Sequence, residues 1–302
     1  MLKIKEKLNR PNIISLGEVL WDLFPTGPRF GGAPANFACH AAALGARVSM
    51  VSAVGQDDCG SMGTSILENY GIDVSLVAQI QDSKTGVVTV EMDTSGKPTF
   101  TIEEDVAWDQ IPWSTEMGGR IDQADVVYFG SLAQRSAISK ATIQFSLERA
   151  KTANIRRVLD INLRLPFFND AVIQESIELC NFLKFSDDEL ESVSKASGLS
   201  MADPHPSLLQ QLMKNFDLEL VVMTRGADGA LLVSANEVID QPGFPAEVRD
   251  TVGAGDAFTA SIINGVCEGA PLAEIAAKAC HYAARICELD GAVPDVPSRS
   301  EP

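Results

Sequence analysis

The chain has 302 residues, of which 24 are lysine or arginine and 41 are aspartate or glutamate, so its formal net charge is −17. This acidity excludes a broad nucleic-acid-binding surface, because no positive excess is available to neutralise phosphates. It also argues against docking on an anionic membrane surface. The length predicts one or two domains, and the apolar content of 45% is ordinary for a globular chain.

The N-terminal segment and the cysteine pattern both favour the cytoplasm. The apolar run at 13–17 stops at Glu18, which makes it too short for a signal peptide. No stretch approaches the roughly 18 apolar residues of a membrane-spanning helix. The six cysteines form no CxxC pair, so we expect buried free thiols rather than disulfides or a metal site.

Strand-like and helix-like segments alternate along the chain. Short runs of apolar and β-branched residues predict strands at 13–17, 47–55, 125–130, 157–161 and 220–224. Helical composition and punctuation predict helices at 37–44, 61–69, 136–152, 261–266 and 273–287. This alternation is typical of a parallel sheet that is covered by helices on both faces.

One segment departs from the alternation. Residues 85–91 and 99–103 have the pattern of strands, and the turn residues at 93–96 lie between them, so a hairpin is predicted. A hairpin inserted in an α/β chain either decorates the surface or acts as a lid over a site. The chain has no internal repeat or linker, which predicts one large domain with a small β insertion.

The most informative stretch is DTVGAGDAF at residues 250–258. Its glycines let the backbone turn tightly and present N–H groups, and the helix that follows directs the positive end of its dipole at the same space. These features predict an anion hole suited to a transferring phosphoryl group. Asp256 falls in the first helical turn, where a carboxylate can accept the proton of an attacking hydroxyl. The alternative is that Asp256 only favours a helix N-terminus, but the full string favours the catalytic interpretation.

Other mechanisms lack their motifs. The chain has no GxxxxGK[ST], no GxSxG, no HExxH and no HRD loop. The glycine pair at 253–255 is not followed by the third glycine of a dinucleotide fingerprint, which argues against an NAD-dependent oxidoreductase. Only three histidines are present, so a histidine-centred mechanism has few candidates.

Further motifs stand in order around the DTVGAGDAF string. They are Gly17-Glu18 followed by Asp22, GGAPAN at 31–36, DINLR at 160–164, KFSDDE at 184–189 and TRGADG at 224–229. Together they resemble the signatures of the ribokinase-like (PfkB) family of carbohydrate kinases, in its fructokinase branch. The resemblance implies an α/β fold, a three-layer αβα sandwich with a mostly parallel central sheet. It also implies one domain over 1–302 with a small β-sheet lid, whose strands are inserted at about 18–32 and 85–108.

The resemblance implies roles for individual residues. Asp256 would be the general base, and the amides of Gly253, Ala254 and Gly255 would form the anion hole. Arg164 would contact the sugar or a phosphate, and Phe100 on the hairpin would close over the sugar, with surface charge and ordinary lid packing as the alternatives. The expected substrate-binding residues are Asp22, Gly31, Gly32, Asn36, Phe100 and Arg164.

A nucleotide site is implied in the same way. Lys184 would approach the phosphates of ATP, and Glu189 would hold Mg²⁺ through water. Ser186 stands where ribokinases have asparagine, as is usual in the fructokinase branch. The expected nucleotide-binding residues are Lys184, Thr224, Gly226, Asp228 and Gly229. The residues expected to bind a monovalent cation such as K⁺ are Asp250, Thr251 and Gly291.

The expected activity is ATP-dependent phosphorylation of a sugar hydroxyl, with a primary alcohol of fructose as the acceptor. Alternatives within the class are a 2-keto-3-deoxygluconate kinase, a nucleoside or aminoimidazole riboside kinase, and another ketose kinase. From a different class, the chain could be a catalytically silent sugar- or nucleotide-binding regulator, but such a protein is expected to carry a damaged DTVGAGD string. The expected partners are a small-molecule sugar, ATP and a second copy of the chain through the lid, with neither nucleic acid nor membrane.

Overall fold

The computed structural model describes residues 10–92 and 98–293, which form two sheets and a set of flanking helices. The strands are β1 (Asn12–Leu16), β2 (Leu20–Phe24), β3 (Gly27–Gly31), β4 (Arg47–Gly55), β5 (Val77–Ile80), β6 (Gly86–Met92), β7 (Pro98–Ile102), β8 (Val126–Phe129), β9 (Arg156–Asp160), β10 (Phe182–Ser186), β11 (Leu220–Thr224), β12 (Ala230–Ser234) and β13 (Val238–Gln241). The α-helices are α1 (Ala33–Ala43), α2 (Asp58–Asn69), α3 (Thr115–Ile121), α4 (Ala137–Thr152), α5 (Asp170–Leu179), α6 (Leu190–Ala196), α7 (His205–Asn215), α8 (Ala254–Glu268) and α9 (Leu272–Cys287).

The larger sheet has nine strands in the order β13-β12-β11-β10-β9-β8-β1-β4-β5. Its pairs are parallel from β11 through to β5, and only β12 and β13 run antiparallel to their neighbours. This arrangement confirms the predicted α/β fold with a mostly parallel sheet. The carboxyl ends of the parallel strands therefore meet at one edge, where ligands bind in open sheets of this kind.

Both faces of the large sheet are covered at its centre, which explains why its central strands are largely apolar, whereas the edge strand β13 is partly exposed. Every residue of β8 is buried, and one of them, Tyr128, stacks on Phe37 of α1 with ring centroids 3.8 Å apart. Two apolar clusters result, one on each side of the sheet. Burial on both faces is what a continuous run of β-branched residues predicts for a parallel strand.

The smaller sheet has four strands in the order β3-β2-β6-β7. Strands β6 and β7 form the predicted antiparallel hairpin, with Val90 opposite Phe100. Its predicted turn at 93–96 lies outside the described residues. Trp21 of β2 donates a hydrogen bond from Nε1 to the Cys59 carbonyl oxygen at 3.0 Å, which ties this sheet to helix α2. A side chain at Gly86 would overlap Trp108, so β6 also packs closely against the body of the large sheet.

Several predicted bounds were too short. Helix α1 begins at Ala33 rather than residue 37, because a proline is tolerated in the first turn of a helix and did not delay its start. Helix α8 begins at Ala254 rather than residue 261, so the glycine-rich string forms its first turn. All six cysteines carry free thiols, but only Cys39, Cys180 and Cys280 are buried as predicted, and the other three are partly exposed. Within residues 10–92 and 98–293, no helix has the length and apolar character needed to cross a membrane.

Candidate active site

The sequence motifs converge on the carboxyl edge of the large sheet. Strands β9, β10 and β11 are adjacent and parallel, and they end at Asp160, Ser186 and Thr224. Glu18 follows the end of β1 at the same edge. Polar residues directly after buried parallel strands therefore share one space, although they are far apart in the sequence.

Asp256 faces this space from helix α8. The helix begins at Ala254, with Gly253 as its N-cap residue in the left-handed conformation (φ 80°). The first N–H groups of a helix have no intrahelical partner, so the Gly253–Gly255 segment directs N–H donors at an anion. One of them, the Ala254 amide, also donates to the Thr251 carbonyl oxygen at 3.3 Å. Asp256 lies in the first turn and is buried. The side-chain amide of Asn36, on α1, donates a hydrogen bond to Asp256 Oδ2 at 2.9 Å.

The environment of Asp256 suits a base that works near neutral pH. Burial raises the pKa of its carboxyl to about 7, and the nearby carboxylate of Asp160 adds to this effect. The Asn36 hydrogen bond and the charges of Lys184 and Arg164 oppose the rise. A general base is most effective when its pKa lies close to the working pH. Asp256 can therefore accept a proton and release it again under ordinary conditions.

A buried ion pair lies beside the N-terminus of α8. Lys184 Nζ is 3.0 Å from each carboxylate oxygen of Asp160. The Thr259 hydroxyl is 3.1 Å from Asp160 Oδ2 and 2.8 Å from the Gly255 carbonyl oxygen. Burial alone would lower the pKa of Lys184. The carboxylates of Asp160 and Glu189 outweigh this effect, so the pKa is raised and the ammonium stays charged. The structure thus holds the phosphate-binding candidate Lys184 in place through Asp160.

Two of the predicted sugar-binding residues are glycines that lie close against the segment after β1 and against β2. Gly32 is the N-cap residue of α1 with φ 102°, and a Cβ there would lie 2.5 Å from the Glu18 carbonyl oxygen. A Cβ at Gly31 would overlap the Asp22 carboxylate. Only glycines allow the chain to pass this closely to Glu18 and Asp22. Packing against Asp22 and Glu18 therefore requires glycine at both 31 and 32, independently of any contact with a ligand.

Unused acceptors remain in this region. Burial raises the pKa of Glu18 to about 6 and that of Asp22 to about 6, and in both cases the charge of Arg164 opposes the rise. Among the described residues, Glu18 Oε2 and Asn36 Oδ1 are buried without a hydrogen-bond partner. A buried polar atom without a partner is costly, so such atoms are expected where a ligand completes the hydrogen bonding.

Two predicted substrate contacts are more exposed than the rest. Arg164 lies in the loop after β9, where its Nη1 donates to the Leu163 carbonyl oxygen at 3.0 Å. Phe100 lies on β7 with 53% of the residue exposed to solvent. Neither side chain is fixed by packing around Asp256, so their contacts with a ligand stay predictions.

The predicted nucleotide loop follows strand β11. Thr224 ends that strand, and a short 3₁₀ turn, Gly226–Asp228, comes next. Gly226 and Gly229 both have positive φ values, 53° and 89°, which a side chain would disfavour. Asp228 is exposed within this turn. The loop therefore lies at the carboxyl edge of the large sheet, at the end of β11, which is three strands away from β8.

Glu189 is held by three hydrogen bonds. Its Oε1 accepts from the Leu163 amide at 2.6 Å, and its Oε2 accepts from the Ser186 amide and hydroxyl at 2.7 and 3.0 Å. Oε1 keeps a lone pair, so a contact to Mg²⁺ through water fits this donor set. Within residues 10–92 and 98–293, no group of three or more His, Cys, Asp or Glu side chains could hold a metal ion directly.

The carboxylate predicted to bind a monovalent cation already has partners. Asp250 Oδ2 accepts from Arg29 Nη1 at 2.7 Å and from the Gly291 amide at 3.1 Å, and its Oδ1 accepts from the Val252 amide at 3.0 Å. Thr251 is exposed beside it. The monovalent cation stays a prediction.

Sequence reasoning missed several participants. Asp160 and Glu18 were quoted within motifs but received no role, although an acidic residue at the end of a buried strand is a usable signal. Thr259 and Arg29 gave no signal, because their contacts bring together residues that are 99 and 221 positions apart.

The comparisons with known proteins agree with this geometry. The model of the pfkB family carbohydrate kinases matches residues 11–299. A fructokinase of Vibrio alginolyticus is 30% identical over 82% of this chain and 81% of its own length. An ATP-dependent 6-phosphofructokinase of Thermoanaerobacterium thermosaccharolyticum is 27% identical over 95% of this chain and 91% of its own. The crystal structure of an uncharacterized sugar kinase from Pyrococcus horikoshii in complex with ATP superposes with a TM-score of 0.79 at 27% identity, covering 94% of this chain and 95% of that one. The chain therefore belongs to the PfkB family of carbohydrate kinases and is a sugar phosphotransferase.

Proposed function

We propose that this protein transfers the γ-phosphoryl group of ATP to a primary alcohol of fructose. The observation that carries the proposal is the placement of Asp256, a buried carboxylate in the first turn of α8 with Asn36 hydrogen-bonded to it. The base and the anion hole belong to the same helix turn, so a hydroxyl bound by one lies beside the phosphoryl group bound by the other.

In this mechanism the protein orients the reactants and moves one proton. Asp256 accepts the proton of the sugar hydroxyl as the oxygen attacks phosphorus. The amides of Gly253, Ala254 and Gly255 stabilise the charge that develops on the transferring group. Asp22, Gly31, Gly32 and Asn36 hold the sugar through its hydroxyls. The unpartnered acceptors Glu18 Oε2 and Asn36 Oδ1 support a ligand that is rich in O–H donors.

ATP is assigned to the part of the carboxyl edge of the large sheet that lies next to the sugar site. Lys184 approaches the phosphates, and Thr224, Gly226, Asp228 and Gly229 line the rest of the site. The related sugar kinase with bound ATP supports this assignment. Mg²⁺, when bound, neutralises charge on the phosphate oxygens, and Glu189 holds it through water.

The charges around the sugar site favour a neutral substrate. Four basic side chains act on the carboxyls of Glu18, Asp22 and Asp256. Three of the four are already paired with other carboxylates, at 2.7, 2.8 and 3.0 Å. Those three are Arg29, Arg135 and Lys184. Arg164 alone is left for a carboxylate or phosphate on the sugar, and it is exposed. Fructose therefore fits better than 2-keto-3-deoxygluconate or a sugar phosphate.

The remaining assignments concern the whole protein. We assign it to the cytoplasm, as one domain over 1–302 in which the four-stranded sheet serves as a lid that excludes water. A homodimer through this lid is the proposed assembly. Light scattering of the purified protein measures the mass directly, and a mass of one chain would contradict the dimer.

Substrate choice is tested by ADP release with MgATP and a panel of acceptors. The panel contains fructose, fructose 6-phosphate, 2-keto-3-deoxygluconate, ribose and a nucleoside. We expect kcat/KM for fructose to exceed that of either anionic sugar by about 10-fold or more, because the buried carboxyls of the site disfavour an added negative charge and the one unpaired cation of the four, Arg164, is exposed to solvent. A higher kcat/KM for an anionic sugar would overturn the choice of fructose. ADP release that no acceptor stimulates would overturn the kinase itself.

A further inference from the structure

An arginine of the small sheet forms an ion pair with an aspartate in the loop that leads into the proposed anion hole. Arg29 lies on β3, and its Nη1 donates to Asp250 Oδ2 at 2.7 Å across 221 residues of sequence. The Asp250 side chain is 13% exposed, so its charge is poorly screened by solvent. Three residues after Asp250 comes Gly253, the N-cap residue of α8.

Asp250 organises the backbone around that N-cap. Its Oδ1 accepts the Val252 amide, which closes the turn before Gly253, and its Oδ2 accepts the Gly291 amide, which holds the neighbouring 289–293 segment. The two segments touch, because a Cβ at Gly253 would overlap the Ala292 carbonyl oxygen. The position of Asp250 therefore sets the position of the amides in the proposed anion hole.

An uncompensated carboxylate would be unfavourable at this place. It would repel the phosphates of ATP and would weaken the positive end of α8, while a nearby cation removes both effects. Each carboxylate oxygen accepts two hydrogen bonds readily. Oδ2 already accepts two, one of them from a guanidinium, whereas Oδ1 accepts one, from the Val252 amide. K⁺ would therefore have to bind at the remaining lone pair of Oδ1, on a carboxylate whose charge Arg29 already neutralises. Among residues 10–92 and 98–293, those around Asp250 do not fit a monovalent cation.

We propose that Arg29 is a positioning residue whose guanidinium supplies, from the small sheet, the positive charge that the resemblance assigned to a monovalent cation at Asp250. The wild-type enzyme then needs no such cation. Removal of Arg29 leaves an empty anionic position that a small cation can fill. The role in transfer rests on the proposed function, whereas the occupancy of the Asp250 position does not.

The first test measures thermal unfolding without any substrate. Wild type and Arg29→Met are melted in KCl and in choline chloride at equal ionic strength. We expect the melting temperature of Arg29→Met to be higher in KCl by about 2 °C or more, and that of wild type to be the same in both salts. The double variant Arg29→Met/Asp250→Asn lacks the carboxylate and should lose the response. An equal response to K⁺ in wild type, or none in Arg29→Met, overturns the proposal.

The second test measures transfer in the same two salts. In choline chloride we expect kcat of Arg29→Met to fall by about 10- to 100-fold, because the anion hole is displaced. KCl should restore most of kcat, and Arg29→Lys should retain activity without K⁺. Arg120→Met is the matched control, since it removes another exposed arginine from an ion pair, with Asp73 at 2.8 Å. If Arg29→Met loses kcat equally in both salts, Arg29 does not replace a cation. If wild type unfolds as expected but transfers to no sugar, the proposed function fails and the Asp250 assignment stands.

Discussion

Asp256 differs from an ordinary surface carboxylate in two properties. It is buried, which raises its pKa to about 7, and it is oriented by Asn36. A base of this kind is half-ionised at neutral pH and can both take and return a proton. The same burial has a cost to folding, because the ionised form is desolvated in the native state.

That cost predicts how Asp256→Asn changes stability with pH. The folded state holds a proton on Asp256 up to about pH 7, whereas an unfolded aspartate releases it near pH 3.9. Between these values the folded state binds more protons, so the wild type loses stability as pH rises. The variant does not titrate there. We expect it to match the wild type near pH 4 and to exceed it by up to about 4 kcal/mol above pH 7.

Urea unfolding at several pH values checks this prediction. Glu148→Gln is the control, because Glu148 is exposed on α4 and its replacement should shift stability by a small, nearly constant amount. If the difference in unfolding free energy between Asp256→Asn and the wild type stays constant from pH 4 to 8, the pKa of Asp256 is not raised in the folded state.

For single residues, the sequence predicted which side chains belong to the site better than it predicted which of them contact one another. Asp256 and Asn36 were both assigned to the site, and the structure brings them to 2.9 Å. The predicted phosphate ligand Lys184 pairs with Asp160 instead of standing alone. That pair joins neighbouring strands β9 and β10, and strand order is not contained in any one local pattern.

The N-terminus of α8 is the element on which the site depends. Gly253 and Gly269 occupy the two caps of this helix, both in the left-handed conformation with φ 80° and 71°. They differ in their surroundings, because a Cβ at Gly269 meets nothing within 4 Å while one at Gly253 would overlap the Ala292 carbonyl. The two positions therefore separate backbone strain from displacement of the anion hole.

We expect Gly269→Ala to lose about 1–2 kcal/mol of stability and to bind ATP as the wild type does. Gly253→Ala should lose more stability and should also weaken ATP binding, since its loop must move away from the 289–293 segment. Thermal unfolding and calorimetric ATP titration measure both effects. Equal ATP affinity in the two variants would remove Gly253 from the phosphate site.

Element type was easier to predict than element extent. The apolar runs of β4 and β11 were predicted at their observed bounds, because continuous burial gives a clear signal. Helix α8 was predicted seven residues late, since its first turn contains glycines that normally disfavour helix. The strands β12 and β13 at the antiparallel edge were not predicted at all.

The acidity of the whole molecule bears on how it would bind ATP. A chain with net charge −17 does not attract a polyanion by its global field, so local devices are required. The α8 N-terminus and Lys184 are two of these, and both lie at the carboxyl edge of the large sheet. Lys184 is already paired with Asp160, which leaves a large part of the phosphate charge for a divalent cation to neutralise.

We therefore expect transfer activity to depend strictly on a divalent cation. An excess of chelator should reduce activity by at least about 100-fold, and added Mg²⁺ should restore it. The chelator saturated with Mg²⁺ beforehand is the control for effects of the chelator itself. Activity that persists in excess chelator would contradict the neutralising role.

The order of motifs along the chain predicted the architecture of the whole molecule. The mostly parallel sheet and the separate small sheet are both present, and the strands of the latter fall within 20–31 and 86–102. Substrate identity was not accessible in the same way, because it depends on the charge balance around Asp22 and Asp256. That balance results from pairings between residues on different elements.

The most direct test follows phosphorus in a mixture of MgATP, fructose and enzyme by ³¹P NMR, with the wild type and Asp256→Asn side by side. For the wild type we predict one fructose phosphate formed for each ADP. For the variant we predict a rate lower by about 10²–10⁴-fold, with ATP still bound. Formation of ADP and inorganic phosphate without a sugar phosphate, or transfer by Asp256→Asn at the wild-type rate, would contradict the account.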